Sequence, residues 1–229
     1  MKPLCVCSNM LNERPLLDRW LGFVKPIADG GILVVDGGSE DGTAEYLKEN
    51  GVTVIIDAII QRDGYGPARN HLRDMARKNF PDAHWCAYFD ADETISEKDF
   101  HRLRYLKDYL IDLYDVVALP RIDWHDEKMT KAENDWRTAP DPQARMTRLK
   151  SNVAYIRRLH EQIVGHRKIF TSLTNPKINH FHRSTSQEKR DFIGRLCSKL
   201  HSEDVDWGST YGKHHKEDYY YEQYLKQGL

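Results

Sequence analysis

The fold is decided by residues 32–42, which read ILVVDGGSEDG. Their first four residues form an unbroken apolar run, which is typical of a strand buried on both faces of a parallel sheet. Gly37 and Gly38 allow a tight turn after the strand, and residues 43–50 have the length of a short helix that ends at Gly51. This order of strand, loop and helix is one repeat of an alternating α/β fold.

The alternation continues on both sides of this segment. Apolar runs predict further strands at residues 4–8, 52–56, 85–89 and 116–119. Between them, apolar residues recur every three or four positions, as at Trp20, Leu21 and Val24, which predicts helices. Strands and helices that alternate at short intervals form right-handed βαβ units. We therefore predict an α/β fold, as a single Rossmann-like domain with a mostly parallel central sheet flanked by helices.

The pattern changes after Arg121. Residues 122–143 are polar and predict a long irregular insert, of the kind that often serves as a lid over a site. Shorter strands are predicted at residues 144–149, 154–159 and 177–181, and a helix at residues 187–200. We divide the chain into a domain of residues 1–200, with halves 1–121 and 122–200, and a C-terminal tail, residues 201–229, which we predict to be helical.

Composition excludes several classes of protein. The 229 residues carry 34 Lys and Arg and 35 Asp and Glu, so the net charge of −1 gives no general basic field for nucleic acid. With 40% hydrophobic residues the chain can bury a core, which argues against global disorder. No apolar run approaches the roughly 20 residues that span a bilayer. We therefore expect no stable membrane insertion and a cytoplasmic location.

The four cysteines predict free thiols. Cys5 and Cys7 alternate in a predicted strand and face the same side of it. No second closely spaced pair follows that would complete a zinc site. We therefore expect buried thiols in a reducing compartment.

Acidic residues follow the predicted strand at residues 85–89. Asp90 and Asp92 leave a buried strand two positions apart, so their oxygens can point into one small volume. Such carboxylates repel one another unless a cation neutralises them, and hard oxygen ligands suit Mg²⁺ or Mn²⁺. The alternative is a solvated acidic turn or an N-cap for the next helix.

Two further polar positions are candidates for binding an anionic, hydroxyl-bearing ligand. Asp36 closes the strand at residues 32–35, where its carboxylate could accept hydrogen bonds from a base or a ribose, while Ser39 or Asp41 could simply cap the next helix. Arg69 lies near a predicted helix start, where helix N-termini and guanidinium groups both favour a diphosphate. A surface ion pair is the alternative for Arg69.

Four motifs occur in a characteristic order: CSNMLNE at 7–13, VVDGGSEDGT at 34–43, GYGPARN at 64–70 and YFDADE at 88–93. Together they resemble the nucleotide-sugar glycosyltransferases of the GT-A fold, family 2. Three later segments, PDPQARMTRL at 140–149, YIRRLHE at 155–161 and INHFHRS at 178–184, resemble the bacterial lipopolysaccharide-core and peptide-glycosylating branch. RMTRL departs from the RLFR-like run of that branch, which leaves the roles of Arg145 and Arg148 open. Residues 122–143 match nothing in it, and we expect them to influence acceptor choice.

The resemblance implies a GT-A domain over residues 1–200, with a nucleotide-sugar-binding half at 1–121 and an acceptor and catalytic half, a C-terminal elaboration, at 122–200. It implies a nucleotide-diphosphate sugar donor, with a UDP-sugar as first candidate, a divalent cation (Mn²⁺ or Mg²⁺) and inversion at the anomeric carbon. The implied nucleotide-sugar-binding residues are Glu13, Asp36, Arg69 and Asp90. The implied metal ligands are Asp92 and one of His180 and His182, and the implied catalytic base is Glu161.

Alternatives accompany these roles. Glu161 could instead form a surface ion pair with Arg157, Arg158 or Arg167. Trp124 and Trp136 could stack on a sugar or pack as anchors. At the level of function, the alternatives are a nucleotidyltransferase that makes sugar nucleotides, whose usual glycine-rich N-terminal loop is missing here, and a non-catalytic nucleotide-binding homologue. The acceptor could be a glycan, a peptide or a modified nucleobase, and the tyrosine-rich tail could support a homodimer.

Overall fold

The computed structural model of the protein describes residues 1–109, 112–132, 141–172, 175–181 and 186–203. The strands are β1 (Leu4–Met10), β2 (Gly31–Asp36), β3 (Thr53–Ile56), β4 (Trp85–Tyr88), β5 (Glu93–Ile95), β6 (Val116–Asp123), β7 (Asp141–Arg148), β8 (Ala154–Ile156), β9 (Gln162–Val164), β10 (Ile169–Thr171) and β11 (Ile178–His180). The helices are α1 (Leu17–Val24), α2 (Thr43–Glu49), α3 (Ile59–Asp63), α4 (Tyr65–Asn79), α5 (Phe100–Tyr109) and α6 (Gln187–Glu203). Short 3₁₀ turns, Arg14–Leu16 and Glu97–Asp99, precede α1 and α5.

The main sheet has the strand order β3-β2-β1-β4-β7-β6-β11-β5. Strands β1 to β4 run parallel to one another. Strands β10 and β11 both pair in parallel with β6, β10 with residues 116–118 and β11 with residues 121–123. Strand β7 is antiparallel to both β4 and β6, and β5 is antiparallel to β11. The predicted α/β fold with a mostly parallel central sheet is confirmed.

The two faces of the sheet bury two apolar clusters, because alternate residues of a strand point to opposite sides. On β1, Leu4 and Val6 join the cluster that contains apolar residues of α1, α2 and α5. Cys5 and Cys7 join the other cluster, which contains residues of α3 and α4. Helices therefore cover both faces of the central strands, and those strands are open to a ligand only at their ends.

The predicted insert at residues 122–143 is wrong at both ends. Residues 122 and 123 complete β6, and residues 141–143 begin β7. Polar residues can continue these strands because Arg121 Nη2 pairs with Asp141 Oδ2 at 2.7 Å across the antiparallel ladder. Trp124 Nε1 donates to Asn179 Oδ1 at 3.0 Å, so this side chain is anchored to β11.

Some predictions fall outside the described residues: the structure of the tail beyond Glu203, Trp136 and His182. The division of the chain into halves at residue 121 also stays a prediction. Among the described helices, none has both the length and the apolar character that a bilayer crossing requires.

Candidate functional site

A cavity of about 710 Å³ lies where the parallel strands β1, β2 and β4 end. In an open α/β sheet this carboxyl edge is where ligands bind, because the loops that leave neighbouring strands converge there. Helix α6 closes the opposite side with Lys189, Phe192 and Leu196. The volume falls within the range of about 300–1,000 Å³ that is usual for small-molecule sites.

Five of the predicted site residues line this cavity: Glu13, Arg69, Asp90, Asp92 and His180. They come from the segments that follow β1 and β4, from α4 and from β11, so the fold brings together residues that are up to 167 positions apart, from Glu13 to His180. The side chains of Asp36 and Glu161 do not line the cavity. His182 lies outside the described residues.

Asp90 is held between two buried arginines. Its Oδ2 lies 3.2 Å from Arg145 Nη2 and 3.6 Å from Arg69 Nη2. Arg145 also pairs with Glu93, which is fully buried. Burial by itself raises the pKa of Asp90, but the charges of Arg69 and Arg145 outweigh this and lower the pKa to about 2. Asp90 is therefore ionised at neutral pH, in a fixed position at the cavity wall.

Asp92 and His180 lie side by side on the cavity wall. His180 Nε2 lies 3.4 Å from Asp92 Oδ2, and its Nδ1 lies 2.6 Å from Asp123 Oδ1. Burial lowers the pKa of His180, but the hydrogen bonds to Asp123 and Asp92 raise it to about 10. The β6–β11 register explains the contact, because it sets His180 directly beside Asp123.

The chemistry of this pair fits a divalent cation. Carboxylate oxygen and imidazole nitrogen are both ligands for Mn²⁺, and two such ligands at right angles on one ion lie about 3 Å apart. The separation of 3.4 Å between Asp92 Oδ2 and His180 Nε2 is close to this value. Asp123 would fix the orientation of the imidazole from behind, as carboxylates commonly do for metal-binding histidines.

Glu161 contacts the same charged group from outside the cavity. Its Oε1 accepts a hydrogen bond from Arg69 Nε at 3.1 Å, so Arg69 bridges Glu161 to Asp90. Burial lowers the pKa of Arg69, but Asp90 and Glu161 raise it above its usual range. Of the partners considered for Glu161 from the sequence, Arg167 pairs with Asp115 instead, at 2.9 Å.

The motif GYGPARN forms backbone hydrogen bonds with the segment that precedes Glu161. The backbone N–H groups of Tyr65 and Gly66 donate to the carbonyl oxygens of Arg158 and Arg157, at 2.7 and 3.1 Å. A Cβ atom on Gly66 would lie 2.3 Å from the Arg157 oxygen, so only glycine admits this backbone. This role was not predicted, although Gly64 and Gly66, two positions apart at the start of α4, were the available signal.

Asp36 is buried and turned into its own loop. Its Oδ1 accepts from the N–H groups of Gly38 and Ser39 at 2.9 and 2.7 Å, and its Oδ2 accepts from Ser39 Oγ at 2.6 Å. Gly37, which follows it, lines the cavity. The carboxylate therefore shapes the loop, and the loop presents its backbone to the cavity.

Glu13 joins the strand ends to α6. Its carboxylate pairs with Lys189, whose Nζ also donates to the carbonyl oxygen of Asn12 at 3.3 Å. Burial raises the pKa of Glu13 to about 7, even though Lys189 opposes the shift. The backbone N–H of Glu13 donates to Thr43 Oγ1 at 2.8 Å, which ties this residue to the loop after β2. Nothing in the local sequence indicated the pairing with Lys189, since it joins residues 176 positions apart.

The fold resembles that of solved glycosyltransferase structures. S. aureus TarS matches with a TM-score of 0.54 and 16% identity over 86% of this chain, which spans only 39% of that TarS chain. TarS 1–349 matches with a TM-score of 0.53 and 12% identity, over 90% of this chain and 73% of that one. At these identities the likeness concerns the fold alone. It agrees with the predicted GT-A fold.

A third structure, glucosyl-3-phosphoglycerate synthase from Mycobacterium tuberculosis with Mn²⁺, UDP and glucosyl-3-phosphoglycerate, has a TM-score of 0.39 and 18% identity, over 54% of this chain and 45% of that one. That likeness is too low to carry an argument. No curated protein sequence matches the chain. The family model described as glycosyl transferase family 2 matches residues 11–182, which is most of the chain and includes every described site residue except Lys189 and its neighbours on α6. The chain therefore belongs to glycosyl transferase family 2.

Proposed function

We propose that this protein is a metal-dependent glycosyltransferase that moves a sugar from a nucleotide-diphosphate sugar to an acceptor hydroxyl. The observation that carries the proposal is the pair of Asp92 and His180, 3.4 Å apart in a cavity at the carboxyl edge of a parallel sheet. A cation bound there lies where the diphosphate of a donor would meet the loops that leave the strands.

The nucleotide would lie over the ends of β1 and β2. Glu13 and Gly37 line this part of the cavity, and Asp36 would act on the nucleotide through the loop that it holds. Arg69 and Lys189 line the cavity as well and supply positive charge for a diphosphate. Asp90, fixed by Arg69 and Arg145, would accept a hydrogen bond from the ribose or from a water on the cation.

Asp92 and His180 would hold Mn²⁺ or Mg²⁺, and Asp123 would keep the His180 ring in place. The bound cation supplies charge stabilisation to the leaving diphosphate. His180 must give up the proton on Nε2 to become a ligand, which links cation binding to proton release.

In the transfer, the acceptor oxygen forms a bond to the anomeric carbon while the bond from that carbon to the diphosphate oxygen breaks. The bonding electrons leave with the nucleoside diphosphate, and the configuration at the carbon inverts. Glu161 would take the hydroxyl proton as general base, a step that typically contributes about 10²–10⁴-fold, and this role requires the acceptor to bind on the Arg69 side of the cavity, where Glu161 lies. Arg69, at 3.1 Å from Glu161, would hold this carboxylate in position.

The finer assignments rest on the sequence. The resemblance supports a UDP-sugar as donor and membership of the lipopolysaccharide-core and peptide branch. The tyrosine-rich tail supports a homodimer, the lack of a long apolar run supports a cytoplasmic location, and the acceptor is a glycan, a peptide or a modified nucleobase. None of them is needed for the central assignment, which depends on the cation and the donor.

The test compares donor consumption with Mn²⁺ in wild type, Asp92→Asn, His180→Gln and Asp112→Asn. Donor is supplied as a panel of nucleotide-diphosphate sugars, and products are followed by mass spectrometry. We expect the first two variants to lose turnover and Asp112→Asn, an exposed carboxylate remote from the cavity, to retain it. Equal turnover in all four proteins would contradict the assignment, and release of pyrophosphate from a sugar phosphate and a nucleoside triphosphate would favour a nucleotidyltransferase.

A further inference from the structure

Three buried thiols lie close together on one face of the sheet, on the two strands that lead to the cavity. Cys5 and Cys7 lie on β1 and Cys86 lies on β4, and each is 0% exposed. Their sulfur atoms all lie within 4.8 Å of one another, and Cys86 Sγ lies 3.5 Å from Cys7 Sγ. The β1–β4 register sets Cys86 beside Cys5, so the sheet supplies the third sulfur that no spacing along the chain indicates.

We propose that Cys5, Cys7 and Cys86 form a binding site for one soft metal ion of the copper(I) class. A trigonal ion with metal–sulfur bonds of about 2.3 Å places its ligands about 4.0 Å apart, which is compatible with the observed cluster. Thiolates select soft ions, and copper(I) is among the ions that they favour.

The number of ligands decides between the soft ions. Among the described residues, the group of metal-ligating side chains contains these three cysteines and no histidine or carboxylate. Structural zinc sites are almost always four-coordinate, and iron–sulfur clusters usually take four cysteines. A three-sulfur site is therefore better suited to copper(I) than to either.

One buried cation lies near the cluster. Arg73, on α4, is fully buried, and its Nε and Nη1 have no hydrogen-bond partner among the described residues. Its positive charge acts on Cys86 and would offset part of the negative charge that three thiolates leave around a bound ion. Binding would replace the three thiol protons by three sulfur–metal bonds, with the protons released to solvent and no change in the oxidation state of the ion.

A bound ion would link the two central strands of the sheet. Strand β1 leads to Glu13 and β4 leads to Asp90 and Asp92, so the ion would lie under both walls of the cavity without contacting it. The expected consequence is a more stable folded state, because a ligand that binds only the folded chain raises its stability.

The experiment titrates the reduced, full-length protein with copper(I) under nitrogen in competition with a colorimetric copper(I) chelator. Because the cysteines are buried, a second sample is loaded during refolding from urea. We expect one ion per chain, sulfur-to-copper absorption in the near ultraviolet and a raised Tm. Cys86→Ser should weaken binding by at least about 100-fold. Cys197→Ser is the matched control and should bind as wild type does, since Cys197 lies on α6, away from the cluster.

If Cys86→Ser does not fold, Cys5→Ser and Cys7→Ser replace it, with far-ultraviolet circular dichroism as the check on folding. Copper that stays with the chelator in both loading protocols overturns the proposal. So does binding that is lost in Cys197→Ser but kept in the cluster variants. These outcomes are independent of glycosyl transfer, because the readouts need neither donor nor acceptor.

Discussion

One aspartate ends β2 and another lies in the loop after β4, and the two have opposite roles in the structure. At the end of β2, Asp36 is fully buried and accepts hydrogen bonds from Gly38 and Ser39, within three residues of itself. In the loop after β4, Asp92 lines the cavity and pairs with His180, the last residue of β11. Both positions lie at the carboxyl edge of parallel strands, where a ligand is expected.

The difference teaches that the place of an aspartate at a strand end does not by itself determine its role. Its neighbours decide whether the carboxylate is available. The Gly38-Ser39 turn satisfies Asp36 locally, so that residue stabilises its loop. Asp92 meets His180 through the β5–β11 register, which sets His180 beside Glu93, so Asp92 can exchange this distant partner for a cation.

The largest expected effect is on turnover in Asp92→Asn. Removing one charged ligand should lower kcat/KM by about 10²–10³-fold, because the leaving diphosphate loses its charge stabilisation. Asn keeps one side-chain oxygen beside His180, so the free energy of unfolding should fall by no more than about 1 kcal/mol, less than in Asp36→Ala. Steady-state donor consumption and urea unfolding measure the two quantities, with Asp112→Asn as control. A large loss of stability with normal turnover would reverse the roles assigned to the two strand ends.

Asp36→Ala should show the opposite pattern. It removes a buried acceptor of hydrogen bonds from Gly38 and Ser39, so we expect a loss of about 3 kcal/mol in the free energy of unfolding. Asp36→Asn keeps one acceptor oxygen and should lose less. Urea denaturation gives these values, and kcat/KM corrected for the folded fraction should fall less than in Asp92→Asn. Unchanged stability in Asp36→Ala would show that the loop does not need the carboxylate.

The third prediction concerns Glu13, which lies between the two strand ends and makes the free energy of unfolding depend on pH. Burial raises its pKa to about 7, so the folded chain holds this proton more tightly than the unfolded chain does. The contribution of Glu13 to the free energy of unfolding is therefore complete at a pH below the pKa of a glutamate in the unfolded chain. It is lost as the pH rises through about 7, the pKa of Glu13 in the folded chain. We expect it to fall by about 2 kcal/mol between about pH 5 and pH 7. Glu13→Gln should remove that component in urea unfolding, and the exposed Glu45→Gln should retain it. A pH profile of Glu13→Gln identical to wild type would contradict this assignment.

The smallest effect is expected for Ser39→Ala. Ser39 Oγ donates to Asp36 Oδ2 at 2.6 Å and accepts from the N–H of Asn12 at 2.7 Å. Its loss should cost about 1 kcal/mol of unfolding free energy, since two backbone donors to Asp36 remain. Thermal or urea unfolding measures it. A cost as large as that of Asp36→Ala would assign the stability of the loop to the serine.

The fold of residues 1–121 could be predicted because its signals are local. Apolar runs such as residues 32–35 indicate buried strands, and apolar residues at helical spacing indicate the covering helices. The later part of the chain gave weaker signals. Strands β9 and β10, like the missed β5 in the first part, are each three residues long and exist through pairing with other segments, which no local pattern indicates.

In the candidate site, too, only the residues with a local sequence signal could be predicted. Asp90 and Asp92 could be located from the apolar strand that precedes them, because the carboxyl edge of a parallel sheet follows from the fold class. The partners Asp123, Arg145 and Lys189 could not, since each reaches the site by strand register or helix packing across many residues. The resemblance already named Asp92 and His180, but the contacts that hold them in place needed the structure.

The most direct test of the central claim is Mn²⁺ binding in the presence of UDP, measured by electron paramagnetic resonance for wild type, Asp92→Asn, His180→Gln and Asp36→Asn. We predict one ion per chain in wild type, an affinity at least about tenfold weaker in the Asp92 and His180 variants, and near-normal affinity in folded Asp36→Asn. Equal Mn²⁺ affinity in wild type and both ligand variants would contradict the claim that Asp92 and His180 hold the cation.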